Sequence, residues 1–125
     1  MKNLEGKIVV VTGAGSGIGR ALALQLAAQG AQLALCDINE TNLQKTVEIA
    51  SAHGVKVYSA AVDVSKRDAF QTFADNVARA LGNASVIINN ASVALSQNVE
   101  GMDRKDFEWV LNINFWGVVN GCEAF

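Results

Sequence analysis

The side chains of this chain whose types and spacing could do chemistry are two carboxylates, Asp37 and Asp63, two amides, Asn90 and Asn114, and a cluster of glycines between Gly13 and Gly19. In Val9-Val10-Val11-Thr12-Gly13-Ala14-Gly15-Ser16-Gly17-Ile18-Gly19-Arg20, an apolar β-branched run breaks into four glycines and then turns helical. Glycines at such a junction permit a tight turn with positive φ or leave out a Cβ so that backbone N–H groups approach a ligand. Those N–H groups and the positive end of the helix dipole form an anion site suited to a pyrophosphate. The spacing excludes two alternatives. The G-x-G-x-x-G form fails because Ile18 and Arg20 stand where its last glycine belongs, and no Gly-Lys-Ser/Thr follows for a P-loop. The form that fits is T-G-x-x-x-G-x-G, on Thr12, Gly13, Gly17 and Gly19. Alone, it could also be a glycine-rich turn without a ligand.

Elements that would position these residues alternate along the chain. Ile8 to Val11 shows no polar alternation, as in a strand buried on both faces of a parallel sheet. Ile18, Leu22 and Leu26 mark one stripe of a first helix, closed by Gly30. Gln32 to Asp37 follows as a second strand, and Asn39 or Thr41 caps a helix with Leu43, Val47 and Ala50 inward. Val55 to Ala60 is a third strand. Ser65 with Asp68 suggests a capping box before a helix faced by Phe70, Phe73, Val77 and Leu81. Ser85 to Asn89 is a fourth strand, and a polar loop runs to about Gly101. Asp103 or Asp106 then starts a helix that continues through Phe107, Val110, Leu111 and Val118.

This alternation predicts an α/β, Rossmann-like doubly wound parallel sheet of four strands in the order 3-2-1-4, with helices on both faces. Ligands in such sheets bind at the carboxyl ends of the strands, which is where the candidate residues fall. Asp37 ends the second strand 18 positions after Gly19, close to the roughly 20 expected of an acid that accepts hydrogen bonds from an adenosine ribose. Its carboxylate would repel a 2′-phosphate, and neither Ser16 nor Ile38 offers a cation to attract one, so NAD is expected over NADP. A solvated loop aspartate is the plainer alternative.

Size and charge narrow the classes. The chain has 125 residues, half of them apolar, with a net charge of −2, which is one domain's worth of sequence. No basic run points to nucleic acid. No apolar stretch reaches a membrane span and the first residues lack a signal peptide's apolar region, so a cytoplasmic setting is expected. Cys36 and Cys122, without a C-x-x-C or a Cys/His cluster, read as two buried thiols in a reducing compartment, with no metal site.

The glycine form, the acid after the second strand and Asn89-Asn90-Ala91 after the fourth together resemble the short-chain dehydrogenase/reductase family. The family's Asn-Asn-Ala-Gly becomes Asn-Asn-Ala-Ser here, with Ser92 last. The resemblance implies that Asp63 and the Val64 N–H read an adenine edge, although Asp63 could equally assist helix capping. It places Asn90 at a cofactor ribose. It also likens Asn112-Ile113-Asn114-Phe115-Trp116-Gly117 to the helix segment whose Asn belongs to the catalytic tetrad, so Asn114 would hold a water in the proton relay. A backbone-bonded structural role is its alternative. The expected cofactor-binding residues are then Gly13, Ser16, Gly17, Ile18, Gly19, Asp37, Asp63, Val64, Asn90 and Ala91.

Residues 1–125 would correspond to about the first half of a family member, an incomplete dinucleotide-binding domain. The catalytic Tyr-x-x-x-Lys is missing, since the only tyrosine, Tyr58, precedes Val62 at that spacing. The expectations that follow are an NAD-dependent oxidoreductase acting on a small-molecule alcohol or ketone, and no turnover by this chain alone. An open apolar edge at the fourth strand and a final helix of the type that packs in family dimers point to a homo-oligomer. A cofactor-binding or self-associating module without catalysis is the alternative.

Overall fold

The computed structural model describes residues 3–94 and 101–125. The expected polar loop up to Gly101 lies partly outside them, as do Met1 and Lys2. Four parallel strands, β1 (Ile8–Thr12), β2 (Gln32–Asp37), β3 (Val57–Ala61) and β4 (Val86–Ile88), form one sheet in the order β3-β2-β1-β4. Val10 lies beside Ala34 on one side and Ile87 on the other. The crossovers are α1 (Gly17–Ala28), α2 (Glu40–Ser51) and α3 (Arg67–Ala80), and after β4 come α4 (Arg104–Leu111), a single wide π-helical turn (Asn112–Trp116) and α5 (Gly117–Ala124). The expected order and helix placement are therefore present. Strand β3 runs two residues later at its start than the sequence pattern suggests, and the single final helix is divided by the π turn.

Alternation within each strand builds two cores, one per face. Val9, Val11, Leu33 and Leu35 point to α1 and α2, where Ala23, Leu26, Leu43 and Ala50 meet them. Val10, Ala34 and Cys36 point the other way, toward Phe70, Phe73 and Val77 of α3. Phe125 closes that side edge-on to both phenylalanines, with ring centroids 6.0 and 5.9 Å away. Phe70 and Phe73 are essentially fully buried, each contributing roughly 1.5–3 kcal/mol of apolar transfer.

Four local expectations are corrected. Ile18 is not on the buried stripe of α1 but 72% exposed, because the helix starts at Gly17 and its inward face begins with Gly19, Ala23, Leu26 and Ala27. No Ser65–Asp68 capping box forms. Lys66 occupies the cap position of α3 without a side-chain bond, and Ser65 Oγ donates instead to Asp63 Oδ1 at 2.6 Å. Cys122 is exposed, whereas Cys36 is buried as expected. The apolar stripe of α4 is not buried either: Phe107 and Leu111 face solvent, and no residue of that helix is buried. Asn39 rather than Thr41 caps α2, accepting from Asn42 N–H at 2.9 Å, and Asp103 rather than Asp106 caps α4.

Candidate functional site

The carboxyl ends of β1, β2 and β4, with the segment after β3, open onto a cleft of about 380 Å³. Gly13, Ser16, Gly17 and Ile18 line it from the loop between β1 and α1. Asp37 comes from the end of β2, and Asp63 with Val64 from the segment after β3. Asn90 and Ala91 complete it after β4. Every residue expected to bind cofactor borders this cleft except Gly19, and Asn114 does not border it.

Gly19 lies one layer below. A Cβ there would collide with the Gly13 carbonyl oxygen and with Asn90 Nδ2, so its missing side chain lets α1 dock onto the loop rather than letting a ligand approach. Gly13 and Gly17, with φ at +66° and +54°, are the loop positions where the backbone itself demands glycine.

At the start of α1 the N–H groups are unclaimed. Ser16 stands at the cap position without a side-chain hydrogen bond, and no acidic residue occupies the first turn. Among the described residues, Gly17, Ile18 and Gly19 N–H donate to nothing, and the first bond is Arg20 N–H to Ser16 O at 3.2 Å. Free donors at the positive end of a twelve-residue helix fit an anionic group.

Asp37 is held on both oxygens. Oδ2 accepts from Gly15 N–H at 2.8 Å and Oδ1 from Asn39 N–H at 2.9 Å. Each carboxylate oxygen keeps a lone pair for another donor, such as a ribose hydroxyl. Asp63 is similar: Oδ1 accepts from Ser65 N–H at 3.0 Å and from its hydroxyl, which leaves Oδ2 free among the described residues. The Val64 N–H likewise has no partner there, while Val64 O accepts from Asn120 Nδ2 at 3.0 Å. One free acceptor and one free donor, adjacent on the cleft wall, fit the edge of an adenine.

Asn90 acts as a clamp. Its Nδ2 donates to Thr12 O at 3.2 Å and Gly13 O at 3.3 Å, and Thr12 Oγ1 accepts from the N–H groups of Asn90 and Ala91 at 3.0 and 2.9 Å. The β4 end is thereby fastened to the β1 loop. Asn89 Oδ1 is buried beside Gly121 with no partner among the described residues. Asn114 lies in the π turn, not against the apolar core, and it pairs twice with Val93: Oδ1 accepts from Val93 N–H at 2.9 Å and Nδ2 donates to Val93 O at 2.8 Å. Its amide thus secures the irregular segment after β4 against the π turn. Burial, and then the neighbouring Asp37 carboxylate, push the Cys36 thiol up to about 12, so it stays protonated and unreactive.

The residues from 7 to 125 match the model of the short chain dehydrogenase family. This chain belongs to that family. It is 47% identical over 125 residues to SadH of Mycobacterium tuberculosis, covering all of this chain and 45% of that protein. Epidermal retinol dehydrogenase 2 of Mus musculus is 38% identical over 115 residues, 91% of this chain and 37% of its own length. Among solved structures, a short chain dehydrogenase/reductase from Burkholderia phymatum in complex with NAD superposes with a TM-score of 0.96 at 37% identity, over all of this chain and 44% of that one. The chain spans less than half the length of these relatives.

Sequence reasoning assigned no role to Gly15, Arg20, Thr46 or Asn120. Two carried a readable signal. Thr46 falls three residues after Leu43 and four before Ala50, on the inward face of α2, and a hydroxyl there must find a partner. Asn120 is a buried amide near the end of the chain, and the same rule applies. The role of Gly15 depends on the carboxylate of Asp37, which sequence spacing does not place.

Proposed function

We propose that residues 1–125 form the dinucleotide-binding part of an NAD-dependent oxidoreductase that transfers hydride between an alcohol or ketone and nicotinamide. The observation that carries this reading is the convergence on one cleft of an uncapped helix start, a doubly held carboxylate at the end of β2, and the free donor and acceptor pair at Val64 and Asp63. In it, the N–H groups of Gly17, Ile18 and Gly19 hold the pyrophosphate and Gly13 and Ser16 shape its loop. Asp37 accepts from the adenosine ribose hydroxyls, and Asp63 with Val64 reads the adenine. Asn90 and Ala91 lie toward the nicotinamide half. The chemistry such a cofactor supplies when bound is hydride transfer; the residues of this chain bind and orient it.

Preference for NAD over NADP follows from Asp37, because a carboxylate facing the ribose repels a 2′-phosphate and Ser16 and Ile38 supply no compensating cation. The chain contains no Tyr-x-x-x-Lys pair, so by itself it binds cofactor without turning substrate over. Asn114 joins the proton relay only together with residues this chain does not carry. The exposed side chains along α4 favour self-association as a second property.

An NADH fluorescence titration tests the site. Asp37→Ala should weaken binding by tenfold or more, from losing hydrogen bonds to a charged group at roughly 1.5–3 kcal/mol. Unchanged affinity would remove Asp37 from the ribose, and no binding at millimolar cofactor would end the reading.

A further inference from the structure

The buried hydroxyl of Thr46 lies far from any solvent-facing role, yet its bonds lead straight to Asp37. Arg20 Nε donates to Thr46 Oγ1 at 2.9 Å. A guanidinium can only donate, so the oxygen must accept there and its single hydrogen is left for Ala14 O, 2.8 Å away. The Ala14 carbonyl belongs to the same peptide group as Gly15 N–H, and that N–H donates to Asp37 Oδ2 at 2.8 Å. Every bond in the series therefore runs in one direction, from a cation through a hydroxyl and a peptide to a carboxylate. Bonds aligned this way polarise and strengthen one another.

The surroundings leave the series one arrangement. Thr46 has no exposed surface, so no water replaces a lost partner. Arg20 Nη2 also donates to Gly15 O and to Asn42 O, which fixes the following peptide of the loop and ties it to α2. The absence of a side chain at Gly15 allows this approach, since a Cβ there would lie 2.8 Å from Asp37 Oδ2. The far oxygen of Asp37 is held from the α2 side by Asn39 N–H.

We propose that Thr46 is a positioning residue for cofactor selectivity: fed by Arg20, it fixes the Ala14–Gly15 peptide and so aims the Asp37 carboxylate into the cleft. This rests on the placement of Asp37 at the adenosine ribose. Without the hydroxyl, Ala14 O loses its Thr46 donor while Ala14 N–H and Gly15 O keep theirs, so the peptide tilts, the Gly15 N–H bond to Asp37 weakens, and the carboxylate is held less firmly where it rewards a ribose diol and rejects a 2′-phosphate.

The test has two independent arms. Without any cofactor, the Gly15 amide of Thr46→Val should exchange its hydrogen about tenfold faster than in the parent chain, as expected for loss of about one hydrogen bond's protection, while Thr46→Ser keeps the parent rate. In titrations with NADH and NADPH, Thr46→Val should weaken NADH by about five- to tenfold and narrow the NADH-to-NADPH selectivity by a similar factor, with Thr46→Ser within about twofold of the parent. In the Asp37→Ala background the same change should alter NADH affinity by less than about twofold, because its effect passes through the missing carboxylate. An equal loss with and without Asp37 would make Thr46 merely structural and overturn the proposal, as would an unchanged Gly15 exchange rate. If Asp37→Ala alone leaves NADH affinity unaltered, the ribose placement fails, and the exchange arm still decides whether Thr46 governs the Gly15 peptide. Should Thr46→Val not fold, Thr46→Ala, which removes the same hydroxyl without a bulkier methyl pair, is held to the same outcomes.

Discussion

At the carboxyl end of β1, residues 12–16 are tied to every neighbouring element: to β4 through Thr12 and Asn90, to β2 through Asp37, and to α2 through Thr46 and Arg20. Along α4, by contrast, no residue is buried, and Phe107, Trp109 and Leu111 stand exposed, followed by Phe115 and Trp116 in the π turn. The loop is held in shape by bonds to its neighbours, with the donors at the start of α1 left unclaimed among the described residues. The helix carries apolar surface that no described residue buries. Order in the first region thus comes from hydrogen bonds within this chain, whereas the second is an exposed apolar face among the described residues.

The strongest way to break this contrast is to put a methyl group beneath the loop. In Gly19→Ala the new Cβ runs into Gly13 O and Asn90 Nδ2, neither of which can retreat without breaking the clamp to β4. Overpacking at a site this closed should cost about 3 kcal/mol in urea unfolding and remove NADH binding with it. A loss under about 0.5 kcal/mol would mean that the loop yields and is not the rigid region described.

The two cysteines sharpen the contrast by a second measure. Cys36 ends the row of β2 under the loop and is held protonated by burial and by Asp37, up to about 12 from its ordinary 9.0; Cys122 on α5 is exposed. The folded thiol keeps its proton at pH values where the unfolded one has lost it. Its contribution is therefore complete below about pH 9 and declines as pH rises from there toward 12, by at most about 1.4 kcal/mol per pH unit. Unfolding measured at pH 8 and pH 10 should show a decline that is shallower in Cys36→Ala. In the native protein, a thiol reagent should modify Cys122 and leave Cys36 untouched until the chain unfolds.

What could be read from the sequence follows the same division. The strands, the glycine loop and the place of Asp37 at the end of β2 were legible because each depends on local requirements: a run of β-branched residues, a turn needing positive φ at Gly17, an acid at a strand end; the strand order followed from their alternation with helices. The relay through Thr46 was not, because its meaning depends on which carbonyl lies opposite α2 in three dimensions. Ile18 and Phe107 misled for a different reason. Helical periodicity identifies an apolar stripe but not what faces it, and at Ile18 the neighbour is the cleft while at Phe107 it is solvent. Ser65 misled because the Asp63 carboxylate, only two residues away, captured both its N–H and its hydroxyl before the helix could use them.

The smallest expected effect concerns the exposed face itself. Phe107 is 53% exposed and belongs to a helix with no buried residue, so Phe107→Ser in the dilute protein should change the unfolding free energy by no more than about 0.5 kcal/mol. If copies of the chain cover one another through this face, the parent protein's Tm should rise with protein concentration, because association that stabilises only the folded state acts by mass action. The serine variant should lose that dependence and scatter light as a smaller particle, while binding NADH unchanged, since Phe107 is not among the cleft-lining residues. A cost above about 2 kcal/mol at low concentration would be the signature of a core position. It would place α4 on the same footing as the loop and dissolve the difference between the two regions.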